Sequence, residues 1–439
     1  MDADSPLHVV VFPWLAFGHL LPGLQLADRL ASRGHHVSFV STPRNIARLP
    51  GRDHHRLDFV ELTLPRVDGL PDGAEATADV PADKFDAFWE ASDGLAAPFS
   101  AFLDDASAGR SKVDWVILDS LLCWAAASAA DRDVPCVLMM PYSAATCAHF
   151  GVPEAGDDDH FPSAMARRFV SALERCELLA VRSCVEFEPE SVPLLSGIFG
   201  KPAVPIGLLP PQLDAAAAAG DGDNTACTSW LDGHPPKSVI YVALGSEAPL
   251  TPDQRRELAL GLELSGAPFL WALRKPHGGG DADAADDDLL PPGFEERTRG
   301  RGAVHTGWVP QLKILAHGAV GAYLTHCGYG SVIEGLRFGH PLVMLPLFLD
   351  HFAIASYLEG VKRAGVQVPR DGGKVAGDGA FDRHGVAGAV RAAVVEEESK
   401  AVLAANARKL QEVVADAECD DRCIDAFVQQ LRSYKEKLF

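Results

Sequence analysis

A turn of small and polar residues, His326 to Ser331, lies between an apolar run (AVGAYLT) and a helix-like segment (VIEGLRF). A strand, a glycine-containing turn and a helix start together bind anions, because the first N–H groups of a helix have no carbonyl partners within it and its dipole is positive there. The turn therefore predicts a site that holds a diphosphate without a metal ion. A dinucleotide fingerprint would need a third glycine where this chain has Ile333, which disfavours a dehydrogenase.

A second site is predicted where His19 follows the apolar run HVVVFPW and precedes a helical segment. Ligands of open α/β sheets bind beyond the carboxyl ends of the strands, and a neutral imidazole there can accept a proton from an alcohol. A carboxylate usually fixes the tautomer of such a histidine. Asp119, which ends the apolar run VDWVILD, is the candidate for that role. The alternatives are a capping or surface role for His19 and a helix N-cap role for Asp119.

A long block, residues 308 to 351, surrounds the diphosphate turn and reads WVPQLKILAHGAVGAYLTHCGYGSVIEGLRFGHPLVMLPLFLDH. It resembles the signature box of the plant UDP-dependent glycosyltransferases of family 1. The resemblance implies an α/β chain of the GT-B fold, in which two Rossmann-like domains face each other across a cleft. It also implies an inverting, metal-independent UDP-glycosyltransferase (a hexosyltransferase) that uses the UDP-sugar as a co-substrate and needs no cofactor. In such an enzyme His19 and Asp119 match the catalytic pair.

The resemblance also implies roles in donor binding. The residue matching Trp308 stacks on uracil, the one matching Gln311 lies beside the base, and the one matching Glu334 accepts hydrogen bonds from the ribose hydroxyls. His326 and Ser331 match residues that touch the phosphates. The donor-binding residues predicted in this way are Ser246, Trp308, Val309, Gln311, His326, Gly328, Tyr329, Gly330, Ser331, Glu334, Asp350 and His351.

The sugar of the donor is left open by departures from the family pattern. Most members have Trp-Asn where this chain has Tyr329-Gly330, and Asp-Gln where it has Asp350-His351. The aspartate and glutamine bind sugar hydroxyls in glucose-transferring members, whereas histidine at the last position occurs with galactose, arabinose or rhamnose donors. UDP-glucose is the favoured donor, and UDP-rhamnose, UDP-galactose or UDP-arabinose are alternatives. A nucleotide-sugar-binding protein with impaired catalysis is a further alternative.

A small hydrophobic acceptor is predicted from aromatic residues near the turns of the first half. The stretches SCVEFEPESVPLL, LPPGFEERTRGRG and QQLRSYK resemble the group that extends sugars on terpenoid (steviol-type) and flavonoid glycosides, which implies an acceptor that already carries a sugar. Core packing is the alternative role for roughly half of the aromatic candidates. The predicted acceptor-binding residues are Trp14, Phe17, Phe85, Trp89, Leu122, Tyr142, Ser143 and Phe150.

The composition predicts a large cytoplasmic enzyme and excludes several classes of protein. A chain of 439 residues, 47% of them hydrophobic, can bury two substantial cores. The net charge of −21 argues against a nucleic-acid partner, which would need a basic face. Nine scattered cysteines without a CxxC pair indicate a reducing compartment, and neither a disulfide framework nor a metal site is expected from them.

The remaining composition signals concern membranes and metals. The N-terminus is acidic before a short apolar run, and no stretch reaches the roughly 18 apolar residues of a membrane span, so a soluble protein is expected. The protein is also expected to be a monomer. Two acidic runs, Asp157 to Asp159 and Asp286 to Asp288, invite comparison with the metal-binding Asp-x-Asp motif of the other glycosyltransferase fold. Neither run follows an apolar strand, so both are interpreted as solvated loops and no metal site is predicted.

Apolar runs alternate with helical segments along the chain, which is the pattern of a parallel sheet covered on both faces. The pattern restarts at SVIYVALGS and predicts an acceptor-binding domain at 1–209, a linker at 210–228 and a donor-binding domain at 229–415. The resemblance implies that 416–439 form a helix that packs back on the first domain. The predicted elements are the strands HVVVFPW, HVSFVS, LDFVEL, VDWVILD, CVLMM, SVIYVALGS, PFLWALR, AVGAYLT and PLVMLP, with helices at 20–33 and 84–105.

Overall fold

The chain forms two compact units. The computed structural model describes residues 5–51, 54–108, 112–152, 163–211, 225–245, 250–274, 290–307, 309–370 and 380–438. The first unit combines Met1–Leu209 with Ala417–Phe439, and the second is Pro210–Asp416. Each unit is an α/β domain built on one parallel sheet, so the prediction of two Rossmann-like domains is confirmed.

The predicted linker at 210–228 lies mostly outside the described residues, and its last part is a helix. Residues Thr225–Asp232 are helical. Cys227 and Leu231 lie one turn apart on this helix and are both buried. Their burial gives this end of the predicted linker an apolar face.

The strands of the first domain are β1 (His8–Phe12), β2 (His36–Ser41), β3 (Leu57–Glu61), β4 (Trp115–Asp119), β5 (Cys136–Met140), β6 (Leu178–Val181) and β7 (Ala203–Pro205). They lie in the order β3-β2-β1-β4-β5-β6-β7 and pair in parallel. Val10 and Phe12 pack into one hydrophobic core whereas Val9 and Val11 pack into another, since successive strand side chains point to opposite faces. Burial on both faces explains the near-continuous apolar runs that predicted these strands.

Helices α1 to α8 connect these strands. The helix predicted at 84–105 is two helices, because Gly94 interrupts it and a side chain at that position would collide with Pro65. The helices are α1 (Phe17–Ser32), α2 (Pro43–Arg48), α3 (Phe85–Asp93), α4 (Ala96–Ala108), α5 (Cys123–Ala130), α6 (Ala144–Phe150), α7 (Ser163–Arg175) and α8 (Leu195–Phe199).

The second domain repeats the architecture with a sheet in the order β10-β9-β8-β11-β12-β13. Its strands are β8 (Val239–Ala243), β9 (Phe269–Ala272), β10 (Gly302–His305), β11 (Val320–Thr325), β12 (Leu342–Met344) and β13 (Gly365–Gln367). Its helices are α9 (Thr225–Asp232), α10 (Pro252–Ser265), α11 (Phe294–Arg297), α12 (Gln311–Ala316), α13 (Tyr329–Arg337), α14 (Leu349–Tyr357), α15 (Arg383–Val394) and α16 (Glu397–Val414). The short strands β6, β7, β10 and β13 were not predicted, because three or four residues carry too little periodicity.

The last helix, α17 (Ala417–Leu438), belongs to the first domain. Ile424, Phe427 and Leu431 follow its buried face into the core that also contains Val9 and Val11. Asp420 at its start accepts a hydrogen bond from the Leu208 N–H at 2.8 Å. No helix in the described part of the chain combines the length and the apolar character needed to cross a membrane.

Each sheet changes its winding direction between two adjacent strands. In the first domain the chain runs outward from β1 to β3 on one side and from β4 to β7 on the other. In the second domain β8 to β10 and β11 to β13 make the same division. Ligands of open α/β sheets bind beyond the carboxyl ends of the strands at such a switch point. The fold therefore places one ligand site beyond β1 and β4 and another beyond β8 and β11.

Candidate active site

His19 and Asp119 meet at the switch point of the first sheet. His19 lies in the first turn of α1, and Asp119 is the last residue of β4. The two strands are neighbours, with Phe12 of β1 opposite Leu118 of β4. His19 Nδ1 is 2.6 Å from Asp119 Oδ2, and the two side chains are 14% and 3% exposed. The fold thus joins two residues that are 100 positions apart in the sequence.

The surroundings of the pair hold both side chains in place. Asp119 Oδ1 accepts a hydrogen bond from the Leu121 N–H at 3.2 Å. The ring of Tyr142 lies edge-on to the His19 imidazole, with the ring centroids 5.6 Å apart. When Nδ1–H donates to the carboxylate, Nε2 carries the lone pair and can accept a proton. The arrangement is therefore suited to general-base chemistry.

The predicted diphosphate turn lies at the switch point of the second sheet. Thr325, the last residue of β11, pairs with Ala243, the last residue of β8. Helix α13 begins at Tyr329 with Gly328 as its N-cap, so Gly330 and Ser331 belong to its first turn. The N–H groups of a first turn point at the space beyond the helix and favour an anion there.

Two glycines make room for the His326 imidazole inside this turn. Gly245 has φ +75°, and a Cβ atom there would lie 2.6 Å from His326 Cε1. A Cβ atom on Gly328 would lie 2.5 Å from His326 Nε2. Cys327 has φ +72°, a left-handed conformation that costs about 1 kcal/mol or more for a residue other than glycine. The backbone of two loops therefore determines where the ring lies.

His326 also contacts His351, which lies in the first turn of α14. The two rings are perpendicular, with centroids 4.8 Å apart. Burial, with a smaller effect of charge on His351, lowers the pKa of His326 well below its usual value, and burial lowers the pKa of His351 to about 4. Both imidazoles are therefore neutral near pH 7. Their Nδ1 atoms are buried without a hydrogen-bond partner among the described residues, and a bound ligand could supply one.

Gln311 and Glu334 form a second contact in the predicted donor site. Gln311 begins α12, and its Nε2 donates to Glu334 Oε2 at 2.5 Å. Tyr241 Oη, from β8, donates to Gln311 Oε1 at 3.1 Å. Burial, followed by the proximity of Tyr323 and Glu334, raises the pKa of Tyr241 well above its usual value, so the phenol keeps its proton and acts as a donor. Both ends of the Gln311 amide are thus engaged and its orientation is fixed.

The remaining predicted donor residues are placed only in part. Trp308 and Ser246 lie outside the described residues, as do the acidic runs 157–159 and 286–288. Val309 lies two residues before the start of α12, and its carbonyl accepts a hydrogen bond from the Gln311 N–H at 2.9 Å. Asp350 stands beside His351 in the first turn of α14.

Comparisons with known proteins agree with this architecture. A family model described as UDP-glucoronosyl and UDP-glucosyl transferase matches residues 214–371, and one described as Glycosyltransferase, N-terminal domain, matches residues 5–150. UDP-glycosyltransferase 91D1 of Stevia rebaudiana is 39% identical over 98% of this chain and 93% of its own. Soyasaponin III rhamnosyltransferase of Glycine max is 36% identical over 98% of this chain and 97% of its own.

The chain belongs to the plant family 1 UDP-glycosyltransferases. Its fold agrees with solved GT-B structures of that family. UGT89C1 of Arabidopsis thaliana, complexed with UDP-L-rhamnose, has a TM-score of 0.78 at 26% identity and covers 98% of this chain and 100% of its own. UGT73P12 of Glycyrrhiza uralensis has a TM-score of 0.80 at 23% identity and covers 99% of this chain and 97% of its own. The protein is therefore a transferase that acts on a UDP-sugar and a small-molecule acceptor.

Three of the predicted acceptor residues of this glycosyltransferase have structural roles. Trp14 and Leu122 are 3% and 0% exposed and lie in a hydrophobic core of the first domain. Ser143 caps α6, since its Oγ accepts a hydrogen bond from the Thr146 N–H at 3.0 Å. For Trp14 and Leu122 the packing alternative describes the structure, because a side chain enclosed by its own core has no surface left for an acceptor.

The other predicted acceptor residues are half-buried, namely Phe17, Phe85, Trp89, Tyr142 and Phe150. Tyr142 is the one of these with a ring contact to His19. Trp89 is covered on one face by Trp14, at a centroid distance of 4.5 Å, and the Arg168 guanidinium lies 4.6 Å from the Trp89 ring centroid. Tyr142 is therefore the acceptor candidate that the structure places beside the catalytic pair.

The sequence analysis missed two residues that lie at the predicted donor site. Tyr241 lies inside β8, where it was treated as part of an apolar run, and Gly245 follows the same strand. The tyrosine carries a polar group into a buried strand, and a buried hydroxyl needs a partner. That signal could have identified Tyr241, whereas its partner Gln311 could be found only from the fold.

Proposed function

We propose that this enzyme transfers the sugar of a UDP-sugar, with inversion at the anomeric carbon, to a hydroxyl group of a small lipophilic plant glycoside, a terpenoid or a flavonoid. The observation that carries the proposal is the 2.6 Å hydrogen bond between His19 Nδ1 and Asp119 Oδ2 at the switch point of the first sheet. A buried carboxylate that orients a histidine is an arrangement for general-base catalysis.

The reaction begins with the acceptor hydroxyl at His19 Nε2. The pKa of the acceptor hydroxyl is far above neutrality, so its proton must leave as the oxygen attacks. The proton passes to Nε2, the acceptor oxygen bonds to the anomeric carbon, and the bond from that carbon to the UDP oxygen breaks. Asp119 stabilises the imidazolium that forms. Attack on the face opposite UDP converts an α-linked glucose donor into a β-glucoside.

The departing UDP takes the electron pair and gains negative charge, which the second domain must stabilise. The net charge of −21 opposes an anion, so local dipoles have to outweigh it. The first-turn N–H groups of α13 supply such dipoles. The neutral His326 and His351 would contribute hydrogen bonds and no positive charge. We therefore propose that turnover requires neither a metal ion nor a cofactor.

UDP-glucose is the first proposed donor and UDP-rhamnose the second, ahead of UDP-galactose and UDP-arabinose. The relative named soyasaponin III rhamnosyltransferase supports the rhamnose alternative. His351 supports it as well, because a neutral imidazole packed against His326 offers a hydrogen-bonding pattern different from that of a glutamine amide. Rhamnose has a methyl group where glucose carries the hydroxyl on carbon 6, so the protein needs one hydrogen-bonding group fewer to bind it.

An already glycosylated acceptor is proposed from the names of similar proteins. One relative is called soyasaponin III rhamnosyltransferase, and UGT73P12 was solved with glycyrrhetinic acid 3-O-monoglucuronide. Each of these names refers to a glycoside. Half-buried aromatic rings such as Tyr142 suit an acceptor of this kind.

The test is UDP release by the purified chain with each of the four donors against a panel of terpenoid and flavonoid glycosides. His19→Ala should lower kcat by about 10²- to 10⁴-fold and leave the dissociation constant of UDP unchanged. His36→Ala is the matched control. His36 Nε2 also lies 2.7 Å from a carboxylate oxygen, that of Asp58. His36 is the first residue of β2, however, and so lies at the amino end of its strand.

Acceptor-dependent release that His19→Ala removes and His36→Ala retains would support the proposal, and the most active donor would identify the sugar. Release that survives His19→Ala would refute the role of this base. Loss of turnover on chelation, reversed by added Mn²⁺, would refute metal independence.

A further inference from the structure

Three side chains that can bind a metal converge where α17 joins the first domain. The Cys184 thiol, the Glu186 carboxylate and the Cys419 thiol each present one ligand atom, and these atoms all lie within 4.8 Å of one another. Cys184 and Glu186 follow β6, whereas Cys419 lies in the first turn of α17. None of the nine cysteines, all of which lie in described segments, forms a disulfide.

We propose that Cys184, Glu186 and Cys419 bind one zinc ion, which links α17 to the loop after β6. Tetrahedral zinc takes sulfur at about 2.3 Å and carboxylate oxygen at about 2.0–2.2 Å, so its ligand atoms lie about 3.5–3.8 Å apart. Because the ligand atoms lie no more than 4.8 Å apart, no pair of them needs to approach by more than about 1.3 Å to reach that geometry. Two thiolates and one carboxylate form a soft ligand set that favours zinc over magnesium or calcium.

The backbone already holds the two thiols in place. The Cys184 carbonyl accepts hydrogen bonds from the N–H groups of Phe187 and Glu188 at 3.2 and 3.0 Å. The residue next to Cys419, Asp420, accepts the hydrogen bond from Leu208 that fixes the start of α17. Zinc would therefore bind a folded site and need not assemble one. A metal that binds only the folded chain raises its stability.

Charge at the site is compatible with a dication. Two thiolates and one carboxylate exceed the charge of zinc by one negative unit, and the Arg422 guanidinium, 3.3 Å from Glu186, can offset it.

Cys423 can serve as a fourth ligand. It follows Cys419 by four residues and therefore lies on the same face of α17. A water molecule would complete the tetrahedron if Cys423 does not bind. The sequence spacing gave no sign of this site, because Cys184 and Cys419 are far apart in the sequence.

The test uses the untagged full-length chain, stripped of metal with a chelator and kept reduced with a phosphine. Titration with Zn²⁺ should give one equivalent bound and a rise in Tm. Titration with Co²⁺ should give the near-ultraviolet absorption of thiolate-to-cobalt charge transfer. Cys184→Ser and Cys419→Ser should each abolish that absorption. Glu186→Gln, at an exposed position that does not risk the fold, should weaken zinc binding by about tenfold or more.

Two matched variants should keep full binding. Cys176→Ser removes a buried thiol that hydrogen-bonds with another cysteine, Cys136, and Glu190→Gln neutralises a nearby exposed carboxylate. Absorption that survives Cys184→Ser, or that Cys176→Ser removes equally, would overturn the proposal. So would a reduced chain that takes up no zinc. The measurement is independent of glycosyl transfer.

Discussion

In the proposed reaction, His19 accepts the proton and Asp119, its hydrogen-bond partner, orients the imidazole. Asp119 is 3% exposed and His19 is 14% exposed, so the carboxylate is shielded while the imidazole edge can still meet a substrate. The Leu121 N–H occupies the other carboxylate oxygen at 3.2 Å. This geometry leaves Asp119 one role in the reaction, which is to orient and stabilise His19.

Asp119→Asn tests that role without changing the shape of the side chain. An asparagine amide can donate to Nδ1, which moves the imidazole proton to Nε2 and removes the lone pair that accepts the acceptor proton. We expect kcat to fall by about 10³- to 10⁴-fold with an unchanged dissociation constant for UDP. Asp58→Asn, which alters the partner of His36, should retain full activity. Equal losses from both variants would contradict the assignment.

Tyr241 is a positioning residue for the donor site, since it acts through Gln311. Tyr241→Phe removes the hydroxyl that holds Gln311 Oε1 at 3.1 Å and frees the amide to rotate away from Glu334. One neutral hydrogen bond contributes about 0.5–1.5 kcal/mol, so KM for the UDP-sugar should rise about two- to tenfold while kcat changes little. Steady-state kinetics at several donor concentrations separate the two constants. Tyr357→Phe, in the later part of α14, is the control.

At the scale of secondary-structure elements, the diphosphate turn after β11 brings His326 against His351 of α14, where both side chains are half-buried and both Nδ1 atoms are enclosed. Burial lowers the pKa of His351 to about 4 and that of His326 well below its usual value. An unfolded chain has no such burial, so its histidines take up protons near pH 6.5. The second domain should therefore lose stability as the pH falls from 6.5 towards 4, and gain nothing further above 6.5.

His351→Gln should reduce this acid sensitivity. At pH 5, protonation of His351 lowers the free energy of the unfolded chain by about 2 kcal/mol, whereas His351 in the folded domain stays largely neutral. Between pH 8 and pH 5, the Tm of the second-domain transition in calorimetry should fall less for His351→Gln than for the natural chain. His384→Gln, at an exposed position in α15, should leave the drop unchanged. An unaltered drop in His351→Gln would contradict the burial argument.

On the scale of the whole molecule, the two ends of the chain stabilise the same domain. Arg29 of α1 lies 3.0 Å from Asp421 of α17, and Arg33 lies 2.5 Å from Asp425. These pairs are partly exposed and contribute little by themselves. The larger contribution comes from the apolar face of α17, which fills the core beneath β1.

Phe427→Ala should therefore destabilise the first domain although it lies far along the chain from the catalytic residues. Phe427 is fully buried, and truncation of a buried phenylalanine costs about 3–5 kcal/mol. The first-domain transition in calorimetry should move to lower temperature. Leu194→Ala, at a position that is 55% exposed in the same domain, should change the free energy of unfolding by about 0.5 kcal/mol or less. Similar shifts for both variants would contradict the role of α17.

The sequence predicted the parts of this enzyme that depend on neighbouring residues. Apolar runs such as VVVF and WVIL identified the central strands because burial on both faces leaves no polar position. The His326 to Ser331 turn was also recognisable from neighbouring residues, because a strand end, two glycines and a helix start lie within a few residues. The positions of His19 and Asp119 after two apolar runs suggested that they pair, and the resemblance implied the same.

Only the tertiary structure decided which distant residues meet. Parallel strands are joined through crossovers, so their neighbours in the sheet cannot be read from local periodicity. Tyr241 holding Gln311, His326 against His351, and Cys184 beside Cys419 all depend on that long-range pairing. The same pairing placed Trp14 and Leu122 in the core and left Tyr142 beside His19. Residue types and short spacings thus determined the chemistry, whereas strand order determined which side chains perform it together.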